Sequence, residues 1–366
     1  MVNTKIQNTI NKMKDEGIDN LLISDPSSIF YLTGHMYHTI ERMCVLLLSV
    51  DVDPILYVHK MFPVRGLDEV GVRSHLWDDT DDYLTDLSHE FDLSKQLGVD
   101  KQLKSEYLLG LMNRGLKKMP IVGSYIIDDI RAVKSDEELR LMQVASDIND
   151  KVCTEIEDYI HNYDGDPNQL TERHCVEKLQ QLYEQYTDEG FSFDPIIGFG
   201  VNATDAHHET DDTVLKEGDC IIIDIGCIKD GYASDMTRTC FYKKIPEFGQ
   251  EIFDIVFEAQ RRAEAAVKPG MKRSDIDAVA RDYITEKGYG EEFNHRLGHF
   301  IGQECHEAGD ISGSDHNIIK VGNCFSIEPG IYIRDKATGV RCENIGHVTE
   351  DGFVSFNKLP MDVRVL

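Results

Sequence analysis

Residues 219–242 read DCIIIDIGCIKDGYASDMTRTCFY. In the first arm, alternation with a period of two sets Ile221, Ile223 and Ile225 on one face and Ile222 with Asp224 on the other. The segment turns at Lys229-Asp230-Gly231 and returns through Asp235, so it reads as a β-hairpin with a carboxylate on each arm. A second segment, NCFSIEPGIYIRDKATGVRCENIGHV at 323–348, repeats the arrangement, turning near Ala337-Thr338-Gly339 and carrying Glu328 and Glu343. A carboxylate inside so apolar a strand is costly unless something answers its charge.

Between the hairpins, residues 294–310 read NHRLGHFIGQECHEAGD and contain His295, His299 and His306. The spacing does not fit HExxH, because His306-Glu307 is followed by Ala308, Gly309 and Asp310. A metal bound here needs further ligands from elsewhere. Asp224, Asp235, Glu328 and Glu343, joined by His299, would make one acidic cluster. Four carboxylates brought close together cannot all stay ionised without cations, and two divalent metals would balance them. Taken singly, an Asp or Glu at a strand end is more often a cap or a surface charge. The joint pattern carries the reading.

Around the hairpins the periodicity is helical. Ser135 and Glu138 form a capping-box signal that opens a helix over 135–162 through Leu139, Met142, Ala145, Val152 and Ile156. Further helices are expected at 171–187, 248–267 and 274–287, the last two separated by Pro269-Gly270 and the final one ended by Gly288. Helices beside antiparallel strands indicate an α+β domain. The N-terminal part is different. A helix at 4–16 with Ile6, Ile10 and Met13 on one face precedes strands at 20–24, 43–50, 55–58 and 120–122 and helices near 80–92 and 103–114. That is an α/β pattern, and the expected domains are 1–130 and 131–366.

A chain of 366 residues fits two domains, each with its own core. Its net charge of -28 argues against nucleic acid, which needs a basic face. Met1 to Gly17 holds no apolar h-region, and CVLLLSV at 44–50 is too short to cross a membrane. Nine cysteines without a CxxC pair point to reduced thiols and a cytoplasmic protein. GFGVNA at 198–203 is a weak dinucleotide-binding match that no amphipathic helix follows.

The segments GVNATDAHH, GDCIIIDIGCIKDGYASDMTRT, FNHRLGHFIGQECHE, CFSIEPGIYI and GVRCENIGHV stand in the order found in metallopeptidases of the pita-bread fold, and the chain from about residue 130 resembles that family. The resemblance implies a C-terminal pita-bread (creatinase/aminopeptidase) domain behind a smaller N-terminal α/β domain. It implies metal ligands at Asp224, Asp235, His299, Glu328 and Glu343, with Asp235 and Glu343 bridging two divalent ions. Four carboxylates and one imidazole favour manganese, with cobalt or zinc as alternatives. Glu328 corresponds to the family's general base, and His207 and His306 to its substrate-side histidines. The short first domain, with TGHMYHTIERM at 33–43, looks like that of bacterial Xaa-Pro dipeptidases (prolidases), which implies hydrolysis of the bond before proline and a homodimer. Arg296 is the candidate partner for a dipeptide's carboxylate. The alternatives are an Xaa-Pro aminopeptidase acting on longer peptides and a non-catalytic pita-bread binding protein. The chain departs from the family at Phe300, where glycine is usual, and at Ala206 and Ala308-Gly309, where proline is usual. Ile40 stands where related dipeptidases carry histidine.

Overall fold

In the computed structural model, which describes residues 2–165 and 169–366, the chain divides into two units, Met1–Arg131 and Ala132–Leu366. The first opens with α1 (Thr4–Asp15), whose N-terminus Asn3 caps by accepting from the Ile6 N–H and which buries Ile6, Ile10 and Met13. There follow β1 (Asn20–Ile23), α2 (Pro26–Thr33), β2 (Val45–Ser49), β3 (Ile55–His59), β4 (Arg73–Trp77), α3 (Tyr83–His89), β5 (Leu97–Val99), α4 (Ser105–Asn113), β6 (Ile121–Val122) and α5 (Tyr125–Arg131). The strands form one sheet in the order β4-β3-β2-β1-β5-β6. Its pairs are antiparallel from β1 to β3 and parallel elsewhere.

The sequence reading passed over four of these elements. Strand β4 lies at the sheet edge, where polar Arg73, Ser74 and His75 precede Leu76 and Trp77, and β5 has only three residues, so neither makes an apolar run. Helices α2 and α5 are two turns long. The caps of α2 are nevertheless legible, with Asp25 accepting from the Ser28 N–H, Pro26 at the first turn and Gly34 in the left-handed region.

The second unit begins with α6 (Asp136–His161), whose capping box uses Ser135 and Glu138, and α7 (Glu172–Tyr183). Strands β7 (Ile196–Phe199), β8 (Cys220–Ile225), β9 (Ile228–Lys229), β10 (Tyr232–Ala233) and β11 (Met236–Phe241) lead to α8 (Glu247–Ala266) and α9 (Arg273–Glu286). After these come β12 (Gly298–Phe300), β13 (Glu307–Ile311), β14 (Cys324–Ile327), β15 (Gly330–Ile333), β16 (Thr338–Arg341), β17 (Asn344–Val348), β18 (Phe353–Ser355) and β19 (Arg364–Val365). Two larger sheets result, ordered β19-β11-β8-β7 and β13-β12-β14-β17-β18.

Strand β8 lies between two cores. Ile221, Ile223 and Ile225 pack with Val152, Ile156 and Leu179, whereas Ile222 packs with Phe241, Ala259 and Phe325. Asp224 continues the Ile222 face, as the period of two requires. The hairpin tip is a two-residue turn in which Asp230 and Gly231 both have positive φ, 51° and 74°, and Lys229 pairs with Tyr232. The second hairpin is not continuous. Strand β14 pairs with β17 and β15 with β16, so the ladder breaks at Glu328 and again at Glu343. Pro329 has no N–H to offer the ladder, which explains the first break.

Gly298, paired with Ile311 of β13, lies tight against β14, and a Cβ there would lie 1.9 Å from the Ser326 carbonyl oxygen. Gly298→Ala should therefore destabilise this unit by about 1–3 kcal/mol. A melting temperature equal to wild type by calorimetry would contradict this close approach.

Candidate metal centre

Five side chains from separate elements meet at one cavity of about 500 Å³. Asp224 projects from β8, Asp235 sits just ahead of β11, His299 lies on β12, Glu328 follows β14, and Glu343 joins β16 to β17. His299 Nε2 is 3.4 Å from Asp235 Oδ2 and 3.3 Å from Glu328 Oε1. Donor atoms of Asp235, His299 and Glu343 lie within 4.8 Å of one another. The Thr237 hydroxyl donates to Glu343 Oε2 at 2.6 Å, and Arg341 donates to Asp224 Oδ2.

The remaining oxygens show what the cavity needs. Asp224 Oδ1, Asp235 Oδ1 and Glu343 Oε1 are buried without a hydrogen-bond partner. Buried acceptors left in this way are expensive, and three in one cavity fit the lone pairs a cation takes up. Burial pushes the Asp224 carboxyl up to about 7; Arg341 opposes the shift, while Asp235 and Glu328 reinforce it. Burial, together with Asp235, Glu328 and Asp224, raises Glu343 well above the carboxylate range. At His299 burial acts downward, but Asp235 and Glu328 outweigh it and the imidazole rises. Without cations these groups hold on to protons. Four carboxylates and one imidazole suit divalent ions of hard to borderline character.

His306 and His207 also line the cavity, each partly exposed to solvent. The His306 ring lies 4.1 Å from that of His299, and burial, followed by the His299 charge, lowers it to about 4, so it is neutral at physiological pH. Its neighbour Glu307 accepts from buried Lys134 at 2.8 Å and from the Gln303 N–H at 2.9 Å, which fixes the loop. His207 sits on a loop anchored by buried Glu172, which accepts from the Phe199 N–H, Asn202, His208 and the Asp211 N–H. His208 is thereby turned away to a structural role.

Residues 140–350 match the metallopeptidase family M24, and residues 5–133 match the creatinase/prolidase N-terminal domain. The chain belongs to metallopeptidase family M24. An uncharacterized peptidase of Staphylococcus aureus strain MRSA252 is 35% identical over 356 residues, 96% of this chain and 97% of the relative. Among solved structures, a dipeptidase from Pyrococcus horikoshii OT3 superposes with a TM-score of 0.90 at 31% identity, covering 99% of this chain and 100% of that one. An Xaa-Pro dipeptidase from Bacillus anthracis gives 0.88 at 26% identity, covering 99% of both chains. This M24 peptidase thus has the two-domain pita-bread architecture, with a creatinase-type N-terminal domain. Its family chemistry relies on divalent metal ions.

Among the residues around the cavity, Arg341, Tyr332 and Cys305 were not singled out from sequence. Arg341 is buried and donates to Asp224, to the Thr237 hydroxyl at 3.0 Å and to the Tyr332 hydroxyl at 2.8 Å. An arginine alternating with Val340 and Cys342 in an apolar strand was the available signal. Tyr332 also meets His295 Nε2 at 3.0 Å while His295 Nδ1 meets the Arg296 carbonyl at 2.7 Å, so both nitrogens of His295 are engaged. Cys305 lies in the cavity wall and donates to Asp235 Oδ2 at 3.2 Å. Arg296 lines the cavity and is ion-paired with Asp310 on β13. Phe300 is wholly buried against Phe325, with the Arg273 guanidinium 4.2 Å from its ring centre. It fills core space and leaves the cavity wall to others.

Asp235→Ala or Glu343→Ala should lower bound metal, assayed by atomic spectrometry, and abolish peptidase activity. Full metal content with near-normal turnover in either variant would remove that residue from the centre. Chelation of the wild type should lower its melting temperature, and divalent ions should restore it, because the ions bind the folded cavity alone.

Proposed function

We propose that this M24 peptidase hydrolyses the bond before proline in Xaa-Pro dipeptides with two divalent metal ions, which Asp224, Asp235, His299, Glu328 and Glu343 would hold. The observation that carries the reading is the set of buried, unpartnered carboxylate oxygens around one cavity. Full-length likeness to dipeptidases supports the substrate class. Manganese is the proposed ion, since carboxylate donors dominate. A cytoplasmic homodimer completes the proposal, and the nine single, buried thiols suit a reducing compartment.

Bound ions supply an acidified water and a polarising charge at the scissile carbonyl. The chain does the rest. Glu328, less enclosed than the other carboxylates and held by the Ser326 hydroxyl at 3.1 Å, takes the attacking water's proton and returns it to the leaving nitrogen. His306, neutral at working pH, and His207 donate N–H bonds to the developing oxyanion or the departing proline. Arg341 holds Asp224 in place and offsets part of the cluster's charge.

Arg296 bears on the substrate's length. A dipeptide places its carboxylate within the pocket, where a fixed cation must answer it. Arg296 already pairs with Asp310, and that pairing favours a second reading, an Xaa-Pro aminopeptidase acting on longer peptides. Rates on Xaa-Pro, Xaa-Pro-Yaa and proline-free dipeptides decide between them. The first reading expects metal-dependent cleavage of Xaa-Pro above the others; equal or faster tripeptide cleavage selects the second; no turnover with metal bound leaves a binding protein.

His306→Ala should reduce kcat by a factor on the order of 10² with metal content intact. Loss of metal would show instead that His306 binds an ion. Arg296→Met should raise KM for Xaa-Pro more than for Xaa-Pro-Yaa, because the tripeptide has no carboxylate at that point. An equal loss on both substrates would rule out carboxylate recognition by Arg296.

A further inference from the structure

The hydrolytic route leaves the Cys305 thiol unused, although it sits in the wall of the catalytic cavity. Ligand atoms of Cys305, His306 and His299 lie within 4.8 Å of one another. The Cys305 Sγ is 3.2 Å from Asp235 Oδ2, and the other oxygen of that carboxylate, Oδ1, is buried without a partner. One side of a hard, carboxylate-rich centre thus carries a thiol, two imidazoles and an unsatisfied oxygen. We infer that Cys305, His306 and His299 form a soft-metal subsite which captures zinc or cadmium and blocks the catalytic centre. The inference rests on this cavity being the metal centre proposed above.

The competition follows from His299. Its Nδ1 lies 3.2 Å from the Phe300 carbonyl oxygen, which can only accept, so Nδ1 keeps its proton and Nε2, facing the cavity, is the nitrogen that meets an ion, releasing to solvent any proton it shares with Asp235 and Glu328. That nitrogen serves one ion at a time. Thiolate and imidazole select soft or borderline ions, and zinc outranks manganese for such donors. Binding forms a sulfur–metal bond and releases the thiol proton to solvent, with no change of oxidation state. An ion seated there withdraws His299 from the catalytic pair and occupies His306.

The test is cadmium titration of the metal-stripped protein, followed by the ultraviolet charge-transfer absorption of cadmium thiolate. Wild type should give a saturable band that Cys305→Val lacks, with Cys305→Ser as a second variant if valine disturbs the fold by circular dichroism. No band in wild type, or the same band in both variants, overturns the subsite. The readout needs no substrate, so it stands apart from whether Xaa-Pro peptides are cleaved. With the manganese-loaded enzyme, the half-inhibitory zinc concentration should rise on the order of tenfold in the valine variant, and an unchanged value would also count against it.

Discussion

Mutual repulsion among four carboxylates around one cavity is the constraint on which the catalytic unit depends. In water such charges would stay apart and hydrated; here Asp224, Asp235 and Glu343 are each less than a tenth exposed. Folding the apo chain means either protonating some of them or supplying positive charge. Arg341 supplies part of it to Asp224, and the Thr237 and Ser326 hydroxyls satisfy single oxygens of Glu343 and Glu328. The oxygens left unsatisfied are the ones the proposed divalent ions would take, which would make metal affinity and folding two views of one balance.

The backbone is shaped to allow this convergence. A continuous hairpin would spread successive side chains along a strand at regular intervals. Breaking the second hairpin at Glu328 and Glu343 lets both side chains leave the ladder and turn into the cavity, and Pro329 makes the first break irreversible by removing a donor. Asp235 likewise precedes β11, while Asp224 stays within β8 and relies on Arg341. The histidines are held by other means. His299 is fixed through its N–H to the Ser326 hydroxyl, His306 by the neighbouring buried Lys134–Glu307 pair, and His207 by the four bonds that Glu172 accepts.

Much of the fold was legible because its signals are local. The alternation in CIIIDIG, the capping box at Ser135 and Glu138, and the Asp230-Gly231 turn each depend on a few consecutive residues whose periodicity or φ preference survives any tertiary context. Strand β4 and helix α5 were missed for the complementary reason, that short or edge-lying elements need neighbours to hold them and leave no pattern of their own. The candidate site was legible as a set of residue types, since buried carboxylates in apolar strands are costly enough to demand explanation.

The sequence by itself determined which faces of the strands are apolar, where helices begin, and that acidic side chains interrupt otherwise hydrophobic runs. Tertiary structure alone decided which charge answers which. Arg341 meets Asp224 across 117 residues, Cys305 meets Asp235 across 70, and Arg296 turns to Asp310 instead of remaining unpaired. Such partnerships depend on how separate sheets pack, and an ion pair or thiol contact imposes no spacing on the chain between its members. Periodicity records which way a side chain points from its own backbone; only the packed sheets determine what it finds there.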